Sequence, residues 1–539
     1  MDKRRICAAV AIVVAALTGA AAGAADDPIV IRAMGVTGQP AWGAGEGVVF
    51  SEFKGAVVDA SGNAAFWARL TGDGVDSAND AGIWRSSRSG ELELIVREGQ
   101  PAPQTGEDIL FTGLYAPAIG SNGAVGFEAK VYGPGVVYDT SFGIWLADEG
   151  GLRRVARGGD QVPGARPGLL YKLFDSPFVD GAGGVHFDAE LTGAGVDADN
   201  RDALCSETAG TVVFVAREQD ACPDAGAWAA YGTIYEHDFD QTGRAAFRGP
   251  VRYCDGSTAN AIWSQTTGPV HLVGMAGEHV PGQPSSVKYE SLYSVAAGDN
   301  GEIAFRASLE GSGVSSANNQ ALLVGGRVAA RIVAREGDPA PGLPAGGTFS
   351  SVGVLVDIDQ AGRAVFSARI AGGSGGTCLY AETDTGIAPL AYPGQQAPGF
   401  ADGVTYATVY SEQWLEVNRH GDVAFLASLT GPGIDSGNDF GLWAEIDDEI
   451  RLIVREGDQI EVAPGETRTV KYVRFQDGWE DDPYGRSAFS DSGWITFSLT
   501  FDDGTNGVFA AIPEPATFCL LALGAGVMLR RPRRRMRGR

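Results

Sequence analysis

Asn418-Arg419-His420-Gly421-Asp422-Val423-Ala424-Phe425 is the stretch that decides the fold. Asn or Asp first and glycine fourth is the form of a type I turn. A strand follows it, with Val423, Phe425, Ala427 and Leu429 alternating on one face. The same pattern recurs about every 60 residues. Gly62, Gly123, Gly183, Gly243, Gly301, Gly362, Gly421 and Gly493 each precede a phenylalanine by four residues. Those are Phe66, Phe127, Phe187, Phe247, Phe305, Phe366, Phe425 and Phe497. A fixed period of this size means one supersecondary unit copied along the chain.

Working outward from the turn gives the rest of the unit. The face opposite Phe425 is mixed, which suits a sheet packed between neighbouring sheets. A Gly/Asp/Asn-rich loop at 430–440 is echoed at 71–81 and 192–202. The next strand carries an aromatic, at Trp84, Trp145, Trp263, Tyr380, Trp443 and Phe509. A third strand at 450–454 leads into Arg455-Glu456-Gly457-Asp458, with counterparts starting at Arg97, Arg157, Arg217 and Arg335. A short segment ahead of each turn, such as 406–410, supplies a fourth strand. Four strands repeated eight times predict an all-β, eight-bladed β-propeller. The ends select a ring over a linear solenoid. Ile29-Val30-Ile31-Arg32 is the third strand of a repeat that has no first half, and the last repeat stops after its second strand, Gly507-Val508-Phe509-Ala510-Ala511. The N-terminal strand is therefore expected to complete the last blade and pair what would be exposed edges.

The chain carries 41 Lys and Arg against 67 Asp and Glu, a formal net charge of −26. Both ends are basic, so the body between them is more acidic still. Such a body repels nucleic acid and anionic lipid. Residues 1–25 read as a signal peptide: Lys3, Arg4 and Arg5, an apolar run, then Ala22-Gly23-Ala24. The repeat body spans 26–511. Residues 512–539 hold Pro513-Glu514-Pro515, a short apolar segment at 516–529 expected to enter the inner membrane transiently, and an arginine cluster from Arg530.

This C-terminal end resembles the PEP-CTERM sorting signal of Gram-negative bacteria. The resemblance implies that an exosortase, a membrane protease, recognises Pro513-Glu514-Pro515, removes the tail and passes the protein to the cell surface or exopolysaccharide matrix. The repeats resemble those of a bacterial surface-protein family with tandem N-x-x-G-x-x-A-F units, a likeness that transfers no activity.

Four cysteines remain once the leader, with Cys7, and the tail, with Cys519, are set aside: Cys205, Cys222, Cys254 and Cys378. Cys205 occupies the place of Trp84 and Trp443, so it is expected as a buried apolar residue. Cys222 and Cys254 are candidates for a disulfide in an oxidising compartment. The five histidines are scattered, and no serine-hydrolase elbow or zinc spacing occurs. Asp238, Asp240, Asp357 and Asp359 resemble the first part of a calcium loop but lack its distal carboxylate. Because the Arg-Glu-Gly-Asp loops recur in many blades, a turn lock or inter-blade salt bridge is expected of them, not catalysis. Repeat four is the most divergent, and repeat eight carries an insertion with Trp479, Glu480, Asp481 and Asp482, a candidate binding patch. The expected function is a non-enzymatic surface or matrix protein, a scaffold or a binder of exopolysaccharide or another surface glycan, of other surface proteins or of divalent cations, with no required cofactor. The alternative is an extracellular polysaccharide hydrolase or lyase, since fold does not decide function.

Overall fold

The computed structural model describes residues 29–208, 210–326, 329–373, 375–410, 415–475 and 487–513. The leader, the tail from Glu514 onward with its apolar segment, and Trp479, Glu480, Asp481 and Asp482 lie outside these residues. Eight antiparallel sheets follow one another in chain order, each a meander from an inner to an outer strand. Blade 1 shows the unit: Val48–Val58, Ala64–Gly72, Ala81–Ser86 and Leu92–Arg97 pair in sequence order. Among the described residues no helix is long and apolar enough to cross a membrane.

The ring closes as its ends predict. The N-terminal strand Ile29–Val36 pairs antiparallel with the last strand Asn506–Pro513, in a register that sets Ile29 opposite Pro513 and Ile31 opposite Ala511. It is the outermost strand of blade 8. The Thr37 hydroxyl adds bonds to the Asn506 carbonyl (2.9 Å) and side chain (2.8 Å). On the inner side Val58 N–H donates to the Ser487 carbonyl at 2.9 Å. Strand pairing reaches Pro513, two residues beyond the body boundary expected at 511, because Ile29 and Val30 continue the ladder.

The period of 60 is explained by the core. The turn phenylalanine and the aromatic of the following strand stand directly opposite: Phe66 faces Trp84, Phe247 faces Trp263, Phe366 faces Tyr380 and Phe425 faces Trp443. Phe425 and Trp443 stack at 6.3 Å between ring centroids, and Tyr406 of the inner strand meets Trp443 edge-on at 5.2 Å. A β-bulge precedes the aromatic in the pairing to the outer strand, between Ile83 and Trp84 and again between Leu442 and Trp443. Each apolar cluster joins two blades. Val57 and Trp67 of blade 1, for example, pack with Phe111, Phe127 and Trp145 of blade 2. In blade 3 Cys205 takes the aromatic place opposite Phe187 and is fully buried, as expected.

Candidate functional site in the axial channel

The ends of the eight inner strands line a channel of about 1130 Å³ along the ring axis. Two places before the turn residue the chain reads Val57, Ala118, Phe178, Asp238, Ala296, Asp357, Glu416 and Ala488. Five of these are apolar, while blades 4, 6 and 7 place carboxylates there. The channel is thus acidic on one side. Asp238 accepts the N–H of Phe239 and, across the blade boundary, of Ala297, both at 2.8 Å. Asp357 accepts the Ile358 N–H at 2.7 Å. Glu416 is hydrogen-bonded to the Ala488 N–H and to Ser487 of blade 8. Desolvation pushes all three upward: Asp238 to about 6, Asp357 to about 7 with the Asp238 charge second, and Glu416 well above the usual range with the Asp357 charge second. All three are partly exposed to the channel, which tempers the shift.

Two residues further on, the turn carboxylates Asp240 and Asp359 are fully engaged. Asp240 Oδ1 accepts the N–H groups of Thr242 (2.8 Å) and Arg244 (3.0 Å), and its Oδ2 meets Arg244 Nη2 at 2.7 Å. Asp359 does the same with Ala361 and Arg363. Both are buried. Of the four calcium candidates, then, Asp240 and Asp359 are closed off by arginines, whereas Asp238 and Asp357 face the channel. Among the described residues no three His, Cys, Asp or Glu side chains converge as a metal would require. The Asp/Asn-rich loops likewise use their carboxylates internally, with Asp76 accepting the Ala78 N–H at 2.9 Å and Asp435 the Gly437 N–H at 3.0 Å.

At the turn end of the channel Arg419 of blade 7 reaches over blade 6 to pair with Asp299 of blade 5. Its guanidinium also lies 3.7 Å from Asp491 of blade 8, whose other oxygen accepts the Arg419 N–H at 2.9 Å. One side chain therefore ties three blades across the mouth. A bracelet of bonds runs around the same end: Gly181 N–H to the Gln241 carbonyl, Gln241 N–H to Asp299, Gln360 N–H to the Arg419 carbonyl, and the Ser492 hydroxyl to the Ala60 carbonyl.

The Arg-Glu-Gly-Asp segments lie on the opposite face and act as turn locks. Arg97, Arg335 and Arg455 donate to the carbonyls of Asn79, Asn318 and Asn438 in the loop of their own blade. The glutamate caps the same loop, as Glu336 accepts the Gln320 N–H and Glu218 the Arg201 N–H. The lock is made mainly with backbone carbonyls, and within the blade 7 segment Arg455 and Asp458 stand 4.0 Å apart. Burial and the Asp80 charge push Glu98 up to about 7, and burial and the Asp439 charge do the same to Glu456.

The expected Cys222–Cys254 bridge is not formed: both are free thiols. Cys222 is buried with Tyr231 and Trp263 in the core between blades 3 and 4, while Cys254 is exposed in the turn that Gly256 N–H closes onto the Tyr253 carbonyl. Glu416 and Arg419 were missed by the sequence reading. The repeat register carried the signal, since reading one column of the eight copies isolates the acids at Asp238, Asp357 and Glu416.

Residues 25–328 and 324–519 match the family of unknown function DUF7453. The chain belongs to that family. Residues 511–535 match the PEP-CTERM protein-sorting motif, so this DUF7453 chain bears an exosortase-type sorting signal, which implies export and a surface or extracellular location. No curated protein matches it. Among solved structures it is similar to the β-propeller domain of the Trilobed protease from Pyrococcus furiosus, at 11% identity, TM-score 0.37, and 76% and 99% coverage of the two chains. An acylaminoacyl peptidase of Pyrococcus horikoshii gives 11% identity, TM-score 0.36, and 83% and 57% coverage. The PL25 ulvan lyase gives 8%, 0.28, and 90% and 98%. These likenesses are of fold alone.

Proposed function

We propose that the mature protein is a non-catalytic binding and structural module of the cell surface or exopolysaccharide matrix. The observation that carries this reading is how the repeated polar groups are used. Asp240 with Arg244, Asp359 with Arg363 and the Arg-Glu-Gly-Asp locks fasten turns, and the channel acids Asp238 and Glu416 take N–H groups from the next blade. The polar apparatus holds a rigid ring, and an acidic ring stays dispersed in a crowded matrix. The test is incubation of the purified body with acidic and neutral polysaccharides, with and without calcium. Binding without release of reducing or unsaturated ends supports the module; catalytic turnover overturns it.

A second reading, a polysaccharide hydrolase or lyase, is favoured by one pair. Asp357 and Glu416 are neighbouring carboxyls with raised pKa in a cavity, the arrangement from which a general acid and its conjugate partner are built. Turnover abolished by Glu416→Gln in a folded protein would establish it.

A further inference from the structure

The repeat supplies its own control for the loop that follows the second strand. Its tip is exposed in four other copies and carries at least one polar residue in each: Asp76-Ser77, Asp197-Ala198, Ser315-Ser316 and Asp435-Ser436. In blade 2 the same two places are Val137 and Tyr138, each 62% exposed. Five places after the turn phenylalanine, where blades 1, 3 and 7 have Thr71, Thr192 and Thr430, blade 2 has Tyr132, 72% exposed. The turn itself is preserved. Thr140 Oγ1 accepts the Val137 N–H at 3.0 Å, the part that Asn79 plays for Asp76 at 3.2 Å. The aromatic residues are therefore not needed for the loop's shape, and they leave a large apolar surface in water.

These side chains flank a cleft of about 390 Å³. Phe142 backs two of the lining residues: Tyr138 meets its ring edge-on at 5.7 Å, and the Lys130 ammonium sits 5.3 Å from its centroid. Lys130 is the one charged residue among the eight that line the cleft. In a chain of net charge −26, the charge this cleft presents is positive. Asp139, next to Tyr138, is not among the residues that line the cleft.

We infer that this blade 2 cleft is a binding site for an acidic polysaccharide, with Tyr132 and Tyr138 as platforms for sugar rings and Lys130 as the partner of a carboxylate on the chain. Tyrosine offers a flat apolar face with a polar rim, at little cost in side-chain entropy, and so suits a ligand whose rings have apolar faces and hydroxyl edges. The lysine adds charge recognition, since a point charge on a flexible stem accepts a carboxylate in many orientations. The inference rests on the reading of a non-catalytic surface module and gives that reading a place and a ligand class.

The test uses the full repeat body and three probes, polygalacturonate, alginate and neutral dextran, in affinity electrophoresis, with thermal melting as a control for folding. Wild-type protein is expected to be retarded by the acidic probes. The double change Tyr132→Ala/Tyr138→Ala weakens that retardation about tenfold or more, and Lys130→Gln removes the preference for acidic over neutral polymer. All three side chains are surface-borne, so melting stays within a few degrees of wild type. No retardation of the wild type, or retardation unchanged in the double variant, overturns the inference. So does a wild-type dimer that Tyr138→Ala converts to monomer, which would make the patch a contact between copies. None of these outcomes touches the non-catalytic reading, which fails only on turnover.

Discussion

Trp228 stands in the left-handed region at φ +65° and is 84% exposed. The isolated bridges of the connecting loops align it with Gly47, Gly168, Gly346 and Gly403, whose φ values run from +68° to +92°. A bulky side chain there is strained by ~1–3 kcal/mol, against ~1 kcal/mol of extra chain entropy for glycine. Trp228→Gly is therefore expected to raise stability by about 1 kcal/mol, read as a higher urea midpoint at unchanged slope. The axial acids make a second prediction at this scale. Asp357 at about 7, Asp238 at about 6 and the raised Glu416 hold protons when folded at pH values where unfolded carboxyls, near ~4, have lost theirs. Their favourable contribution is complete below the unfolded pKa and is lost as pH rises through the folded values. The melting temperature should fall from about pH 4 to about pH 7, and Asp357→Asn should flatten that fall. A flat wild-type profile would contradict the shifts. Asp240 and Asp359 show the limit of reading single residues. Their Asp-x-Asp spacing suggested oxygen ligands, but the arginine four places on, visible in the sequence as Arg244 and Arg363, is what takes the second carboxylate oxygen.

The blade was the most legible element. Turn, alternating strand and paired aromatic are local signals with local causes, and Phe425 does face Trp443. Trp443 is fully buried, stacked on Phe425 and capped by Tyr406, so Trp443→Ala should cost ~3–5 kcal/mol in chemical denaturation. The break in the blade 4 inner strand, between Ala230–Tyr231 and Glu236–Phe239, was not legible, because hydrophobic alternation does not record where pairing lapses. Nor was the axial acid row. It emerges only when eight copies are aligned by their turns and one column is read across them.

The closed ring brings the two ends of the body together. Ile29 and Pro513 are partners at the last rung of the seam, so the first proline of the sorting motif sits at the end of a paired strand, and the rest of the motif follows directly. Replacing Pro513, Glu514 and Pro515 with alanine should leave the tail uncleaved and the protein in the inner-membrane fraction; release into the medium at the wild-type rate would refute the sorting role. Closure was legible because the fragments at the two ends of the chain complement each other. The ligand was not, since a ring of similar blades announces its fold many times and its specificity once. The most direct check of the ring is a cysteine pair at Ile31→Cys and Ala511→Cys, opposite each other in the seam register. Under oxidation the account predicts an intramolecular disulfide, seen by mass spectrometry as one peptide joining the N- and C-terminal strands and accompanied by a higher melting temperature. Monomer with both new thiols free, or links only between molecules, would contradict a closed eight-bladed ring.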